Sequence, residues 1–268
     1  MPVAVVPAPP SDLAPWRDLH RHEIRGQVLK DSIPDRPGWT DGYFLELDGA
    51  RAGYGVVAVG GPWTDRPTVI ELYLRPEVRT RTFALFEAFL AASGAAAIET
   101  QSDAPLLGPL IHLYAAPLTV DSILFRDEVL TRDVPPGALV RPATPADAEA
   151  LYPDRRDALG DWVVTLDGVP AGSGGILGHY NRPFEDVYME VAEPFRRRGL
   201  GGYLVQELKR IARERGSIPT ARCNPANLAS RRTLQKAGFV PFGVMLSGTV
   251  VGAHQAEAPR PPARAPIR

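Results

Sequence analysis

The chain has 268 residues, with 30 Lys+Arg against 31 Asp+Glu and a single cysteine. That length accommodates two domains of about 100–150 residues, each with its own core. A net charge of −1 excludes a grossly basic nucleic-acid binder, and one cysteine excludes an internal disulfide and any metal cluster built on thiolates.

In chain order, residues 1–10 are rich in Pro, Ala and Val without the pattern of a packed element, and read as disordered. Leu47 to Gly55 reads as two short strands joined at Asp48-Gly49, a hairpin signal. An extended run, Val69 to Leu74, leads into Arg75-Pro76-Glu77-Val78-Arg79 and then a helix that packs Phe83, Phe86 and Leu90. Pro135-Pro136-Gly137 breaks regular structure and places a linker at 131–138. Beyond it, Leu139-Val140-Arg141-Pro142 reads as a strand, with Thr144 as N-cap, Pro145 at the first helical position and Asp147 in the first turn. Leu166 to Gly174 repeats the Asp-Gly hairpin pattern of the first half, and Asp186 to Ala192 is extended. A turn, Arg196 to Gly202, then opens an amphipathic helix carrying Leu200, Tyr203, Leu204, Leu208, Ile211 and Ala212 on one face. Thr220 to Cys223 is extended, and Asn224 to Ser230 leads into a helix that ends at Ala237-Gly238-Phe239. Residues 252–268 read as a disordered tail. No apolar run approaches the ~18 residues of a membrane span, and no signal-peptide pattern opens the chain, so a cytoplasmic protein is expected.

The turn carries the most chemical information. The first amides of a helix have no intrahelical partner and sit at the positive end of its dipole, so a glycine-rich helix entry suits a pyrophosphate. A dinucleotide fingerprint would want a third glycine at 204 and an acidic residue near 219–220; the chain has Leu204, Pro219 and Thr220. The Gly-Lys-Ser/Thr ending of a nucleoside-triphosphatase loop is absent. The R-x-x-G-x-G pattern of Arg196–Gly201 resembles the acyl-CoA-binding motif of the GNAT N-acetyltransferase superfamily. Asn227-x-x-Ser230 leading to Lys236-x-Gly238-Phe239 is similar to the fifth strand, helix and Gly-Phe turn of that superfamily, and Leu139–Asp147 to its first strand and helix entry. The resemblance covers roughly residues 139 to 247.

The first half echoes the second, so the resemblance implies an α/β (α+β) chain of two tandem GNAT-like domains, each a mixed, mostly antiparallel sheet flanked by helices. Residues 11–134 form a degenerate copy, since Thr82 and Ala84 stand where the glycines belong, and 139–250 form the acetyltransferase domain. By the same resemblance acetyl-CoA is the co-substrate. Its binding residues are Met189 and Val191 on the fourth strand, Arg196, Arg197, Arg198, Gly199, Leu200, Gly201 and Gly202 in the turn, and Asn227. The implied reaction is direct attack of an amine, on a small molecule or a protein N-terminus, in a ternary complex. Neither nucleic acid nor membrane is an expected partner, and monomer and homodimer both stay open.

Such a reaction needs an amine stripped of its proton and a donor for the developing oxyanion. Glu190 and Glu185 compete as general base, with His179 a third candidate. Their odd separation puts the two carboxylates on opposite faces of a regular strand, unless a bulge intervenes. The acid departs from the family: Leu234 stands where many members carry Tyr, and Arg222 where some carry Glu. Tyr188, Tyr180 or Tyr203 are the stand-ins, or the thiolate leaves unassisted. These departures keep a non-catalytic acyl-CoA-binding module, or a purely structural tandem pair, as alternatives.

Overall fold

The computed structural model describes residues 2–24, 26, 33–34, 36–155, 159–178 and 181–252. Its first half runs β1 (Val3–Ala8), α1 (Pro10–Ile24), β2 (Thr40–Leu47), β3 (Ala50–Ala58), β4 (Thr68–Leu74), α2 (Thr82–Ser93), β5 (Ala97–Gln101), α3 (Leu107–Tyr114) and β6 (Ala115–Asp127). The second half repeats that order: β7 (Ala138–Pro142), α4 (Pro145–Leu151), β8 (Trp162–Leu166), β9 (Val169–Leu177), β10 (Phe184–Val191), α5 (Leu200–Glu214), β11 (Ile218–Cys223), α6 (Leu228–Lys236) and β12 (Phe239–Val250). Asp48 and Gly49, like Asp167 and Gly168, all have positive φ, the backbone that two-residue hairpins favour.

All twelve strands join one sheet, in the order β1-β2-β3-β4-β5-β12-β6-β11-β10-β9-β8-β7. Each half's last strand lies in the other's territory: β12 pairs with β5, and β6 with β11. The halves are thus exchanged at the centre and cannot part without breaking ladder bonds. The two largest apolar clusters lie one in each half. One packs Leu85, Phe86 and Phe89 of α2 with Leu107, Leu110 and Ile111 of α3. The other packs Leu200, Leu204 and Leu208 of α5 with Val164, Val187 and Leu234.

Several expectations change. Residues 1–10 were read as disordered, yet Val3–Ala8 pairs residue for residue with β2, so an edge strand forms despite Pro7. The helix at 145 starts as expected, with Thr144 at the N-cap, and Asp147 completes the capping box: its carboxylate accepts from the Thr144 amide (2.7 Å) and hydroxyl (2.8 Å). The tail at 253–268 lies outside the described residues. Among the described residues no helix is long and apolar enough to cross a membrane.

Candidate active site

The site begins where two parallel strands part. β10 and β11 pair only at Phe184–Asp186 with Ile218–Thr220, and beyond that fork neither continues the ladder. The β10 ladder to β9 is unbroken from Asp186 to Val191. Antiparallel bonds alternate in direction. Since the Ala192 amide bonds Ala171 O on the β9 side, the backbone groups of Val191 and Met189 point the other way, into the fork. That is the aspect an extended arm inserted between the strands would meet.

At the end of β10 the chain turns through Arg196–Gly199 into α5. Arg197 (φ 65°) and Gly199 (φ 81°) are both left-handed, a concave turn of the kind that gathers amides around an anion. Among the described residues no acceptor takes the amides of Arg197, Arg198, Gly199, Leu200, Gly201 or Gly202; the first bond of α5 runs from Tyr203 N to Gly199 O, 3.1 Å. Arg196, Arg197 and Arg198 are exposed around this turn. Leu200 is buried in the core and anchors the first turn, which leaves only its amide for a ligand. A Cβ at Gly201 would lie 3.3 Å from Thr233 Cγ2 and 3.5 Å from the Met189 methyl, so glycine lets α6 and β10 close against α5. A Cβ at Gly202 would meet nothing within 4 Å, so that face of the turn is open. Unmet amides, positive charge and open space together fit a pyrophosphate.

The Arg196 side chain has a second task. Its Nε donates to Val191 O (3.1 Å), as Arg79 Nε does to Leu74 O (3.0 Å) in the first half. In the first half, however, a 3-10 helix (Pro76–Arg81) runs straight into α2, and Thr82 N and Oγ1 both bond Arg79 O. The clasp survives there and the anion turn does not.

The candidate bases separate. With no bulge in β10, Glu185 and Glu190 project from opposite faces. Val187, Met189 and Val191 pack toward the α5 core, whereas Glu190 is ion-paired with Arg155 at 3.0 Å and 44% exposed. Glu185 is half-buried, and its Oε2 is buried without a hydrogen-bond partner among the described residues. His179 and Tyr180 lie outside the described residues. Tyr203, proposed above as a stand-in acid, is buried in the α5 core instead. Tyr188 is 39% exposed, and burial of the rest of the ring raises its hydroxyl above the ordinary tyrosine value. Leu234 is core, as is Cys223, whose thiol burial pushes up. Asn227, expected on the cofactor arm, also caps α6: its side-chain oxygen accepts from Ser230 N (3.0 Å), and among the described residues Nδ2 makes no bond.

Sequence reasoning missed Asp186. It is buried at the fork, accepts from Thr220 Oγ1 (2.6 Å) and pairs with Arg222 Nε (3.1 Å). Desolvation lowers the Arg222 pKa, against the field of Glu99. The signal was an Asp inside a strand, a residue type strands avoid.

A fork in a parallel pair, followed by an anion turn at a helix entry, is the arrangement to compare with known proteins. Residues 128–239 match the family model described as the acetyltransferase (GNAT) family. This chain carries a GNAT acetyltransferase domain. Solved structures extend the likeness in fold to nearly the whole chain. A GNAT-family acetyltransferase from Colwellia psychrerythraea superposes with TM-score 0.68 at 13% identity, covering 94% of this chain and 100% of that one. A tandem GNAT protein from the clavulanic acid biosynthesis pathway gives 0.61 at 16% identity, covering 94% and 100%. A GNAT N-acetyltransferase from Sphaerobacter thermophilus gives 0.56 at 14%, covering 92% and 95%. No curated protein matches the chain in sequence. The two halves of this chain repeat one order of elements, and its fold is similar to that of the tandem protein over nearly the whole chain.

Proposed function

We propose that the second GNAT copy transfers an acetyl group from acetyl-CoA to an amine of a small molecule or protein N-terminus, by direct attack in a ternary complex. The observation that carries this reading is the set of unpartnered amides from Arg197 to Gly202, beside a strand whose outward groups face an open fork. Acetyl-CoA supplies the thioester when bound. The turn amides and the dipole of α5 hold its pyrophosphate, and Arg197 and Arg198 add charge. Met189 and Val191 present backbone donors and acceptors along the fork, and a β10 amide there suits a developing oxyanion. Asn227 Nδ2 is the atom left to reach the cofactor arm.

Glu185 is the better base. Its buried, unpartnered oxygen is poised to take a proton from an ammonium, whereas Glu190 is engaged by Arg155 and lies on the opposite face. The acid role has no evident holder on the Glu185 face, since Tyr188 shares the face of Glu190.

A second reading has its own support: with Leu234 in the core and Arg222 tied to Asp186, the protein would bind acyl-CoA without turnover. The two separate in a thiol-release assay with acetyl-CoA and a panel of primary amines. Transfer is expected to release coenzyme A with at least one amine, and Glu185→Gln to lower kcat by roughly 10²-fold without changing the KM for acetyl-CoA. Binding with no release across the panel overturns the transferase reading.

A further inference from the structure

The linker between the two copies runs beside α5 without filling the space against it. Two bonds fix its course: Lys209 Nζ donates to Val129 O (2.9 Å), and the Asp133 amide donates to Gln206 Oε1 (2.9 Å). Between the linker and α5 lies a cavity of about 520 Å³, within the roughly 300–1,000 Å³ of small-molecule sites. Leu130 and Val134 of the linker and Tyr203 of α5 supply its apolar wall. Leu130 is 69% and Val134 59% exposed, large side chains left uncovered.

Most charges on the wall are spent on one another. Lys209 and Arg213 both pair with the buried Asp127, and Arg210 holds Glu207 (3.0 Å) and Glu214 (2.5 Å). Three lining groups are not spent. Thr131 Oγ1 is buried with no hydrogen-bond partner among the described residues. Gln206 is buried as well; its Oε1 takes the Asp133 amide, which leaves Nε2 beside the same stretch of linker with no acceptor among the described residues. Arg132 is exposed and makes no ion pair there. All three can donate, and a buried donor without an acceptor asks for one. The wall carries four positive and two negative charges, and Asp127 beneath it offsets one more, a net of one positive charge.

We propose that this cavity is a second small-molecule site, separate from the acyl-CoA turn, and that it binds an amphipathic carboxylate. The Arg132 guanidinium takes the carboxylate through the paired bonds that arginine favours. Thr131 Oγ1 and Gln206 Nε2 donate to the remaining lone pairs, and the apolar body lies along Leu130, Val134 and Tyr203. An amine finds no such partner, because both carboxylates of the wall are held by Arg210. A bound carboxylate fastens the linker to α5. The end of that linker, Pro135, lies close to Gly199 at the entry to the helix. The site stands whether or not the second copy transfers acetyl groups.

The test is a calorimetric titration of the full chain, without acetyl-CoA, using 4-phenylbutyrate, 4-phenylbutan-1-ol and 4-phenylbutylamine. The carboxylate is expected to bind at least about tenfold more tightly than the amine or the alcohol. Arg132→Met, which keeps the stem and removes the charge, should weaken it by roughly tenfold or more, and Thr131→Val by roughly threefold or more. Arg132 is exposed and unpaired, so its variant is expected to fold. Saturating coenzyme A should leave the carboxylate bound. Equal affinity for carboxylate and amine, wild-type affinity in either variant, or displacement of the carboxylate by coenzyme A overturns the proposal.

Discussion

Replacing Gly202 by Asp separates cofactor binding from folding better than any other change in the turn. Gly199 is unsuitable, because its φ of 81° strains any side chain and its Cβ would press on Pro135 Cγ at 3.3 Å. Gly202 is the third residue of α5, and a Cβ there meets open space. An acidic side chain in a first turn is favourable by about 0.3–1 kcal/mol, and replacing helical glycine adds a few tenths more. The variant should therefore be as stable as the wild type or slightly more so. Against a pyrophosphate the same carboxylate is repulsive. At a separation of ~5 Å and an effective dielectric of ~20 the cost is about 3 kcal/mol for each unit charge, on the order of a hundredfold in Kd. Urea denaturation and calorimetric titration with coenzyme A read the two effects separately. A folded variant that binds within about threefold of the wild type would refute the cradle.

Three further outcomes are expected. Lys209 is buried and holds Asp127 (2.7 Å), Val129 O (2.9 Å) and Ala237 O, tying β6 and the linker to α5; Lys209→Met should cost about 3–5 kcal/mol by urea denaturation, and a loss under 1 kcal/mol contradicts that role. Arg141 chiefly, with Thr144, holds the Asp147 carboxyl far below its ordinary range. That group is depressed in the folded state, so its stabilisation is full above the unfolded value near 4 and fades as pH falls below it. Asp147→Asn should lower Tm at pH 7 and flatten the acid limb of the Tm–pH curve, and an unchanged acid limb refutes the assignment. Glu190→Gln should leave kcat within about threefold of wild type, since Glu190 is paired with Arg155 on the face opposite Glu185; a loss as large as that of Glu185→Gln would reverse the choice of base.

The second copy was legible because local chemistry declares it. The glycine pair at 199 and 201, the apolar stripe of α5 and the Asp167-Gly168 hairpin are each set by neighbours in sequence. The first copy was readable at Asp48-Gly49, in β4 and in the existence of α2, though the buried stripe of α2 is Leu85, Phe86 and Phe89, and Phe83, expected to pack, is exposed. Helix α1 escaped notice because its buried stripe is Leu13, Arg17 and His20, and two of those three are polar residues satisfied by Glu71 and Tyr54 far away in the chain. β1 escaped for a similar reason: an edge strand is created by its partner β2 more than by its own composition. The exchange of β6 and β12 has no local signature at all. Parity could not choose between Glu185 and Glu190 while a bulge was possible; the regular ladder to β9 puts them on opposite faces, and the Arg155 ion pair on Glu190 favours Glu185 in the proposed reaction.

The most direct measurement is a crystal structure of the chain with acetyl-CoA bound. The expected result is one cofactor per chain, its pyrophosphate on the amides between Arg197 and Gly202 and its pantetheine arm between β10 and β11, alongside Met189 and Val191. A pyrophosphate at the start of α2, or an arm lying outside the second fork, would contradict the assignment of the active copy.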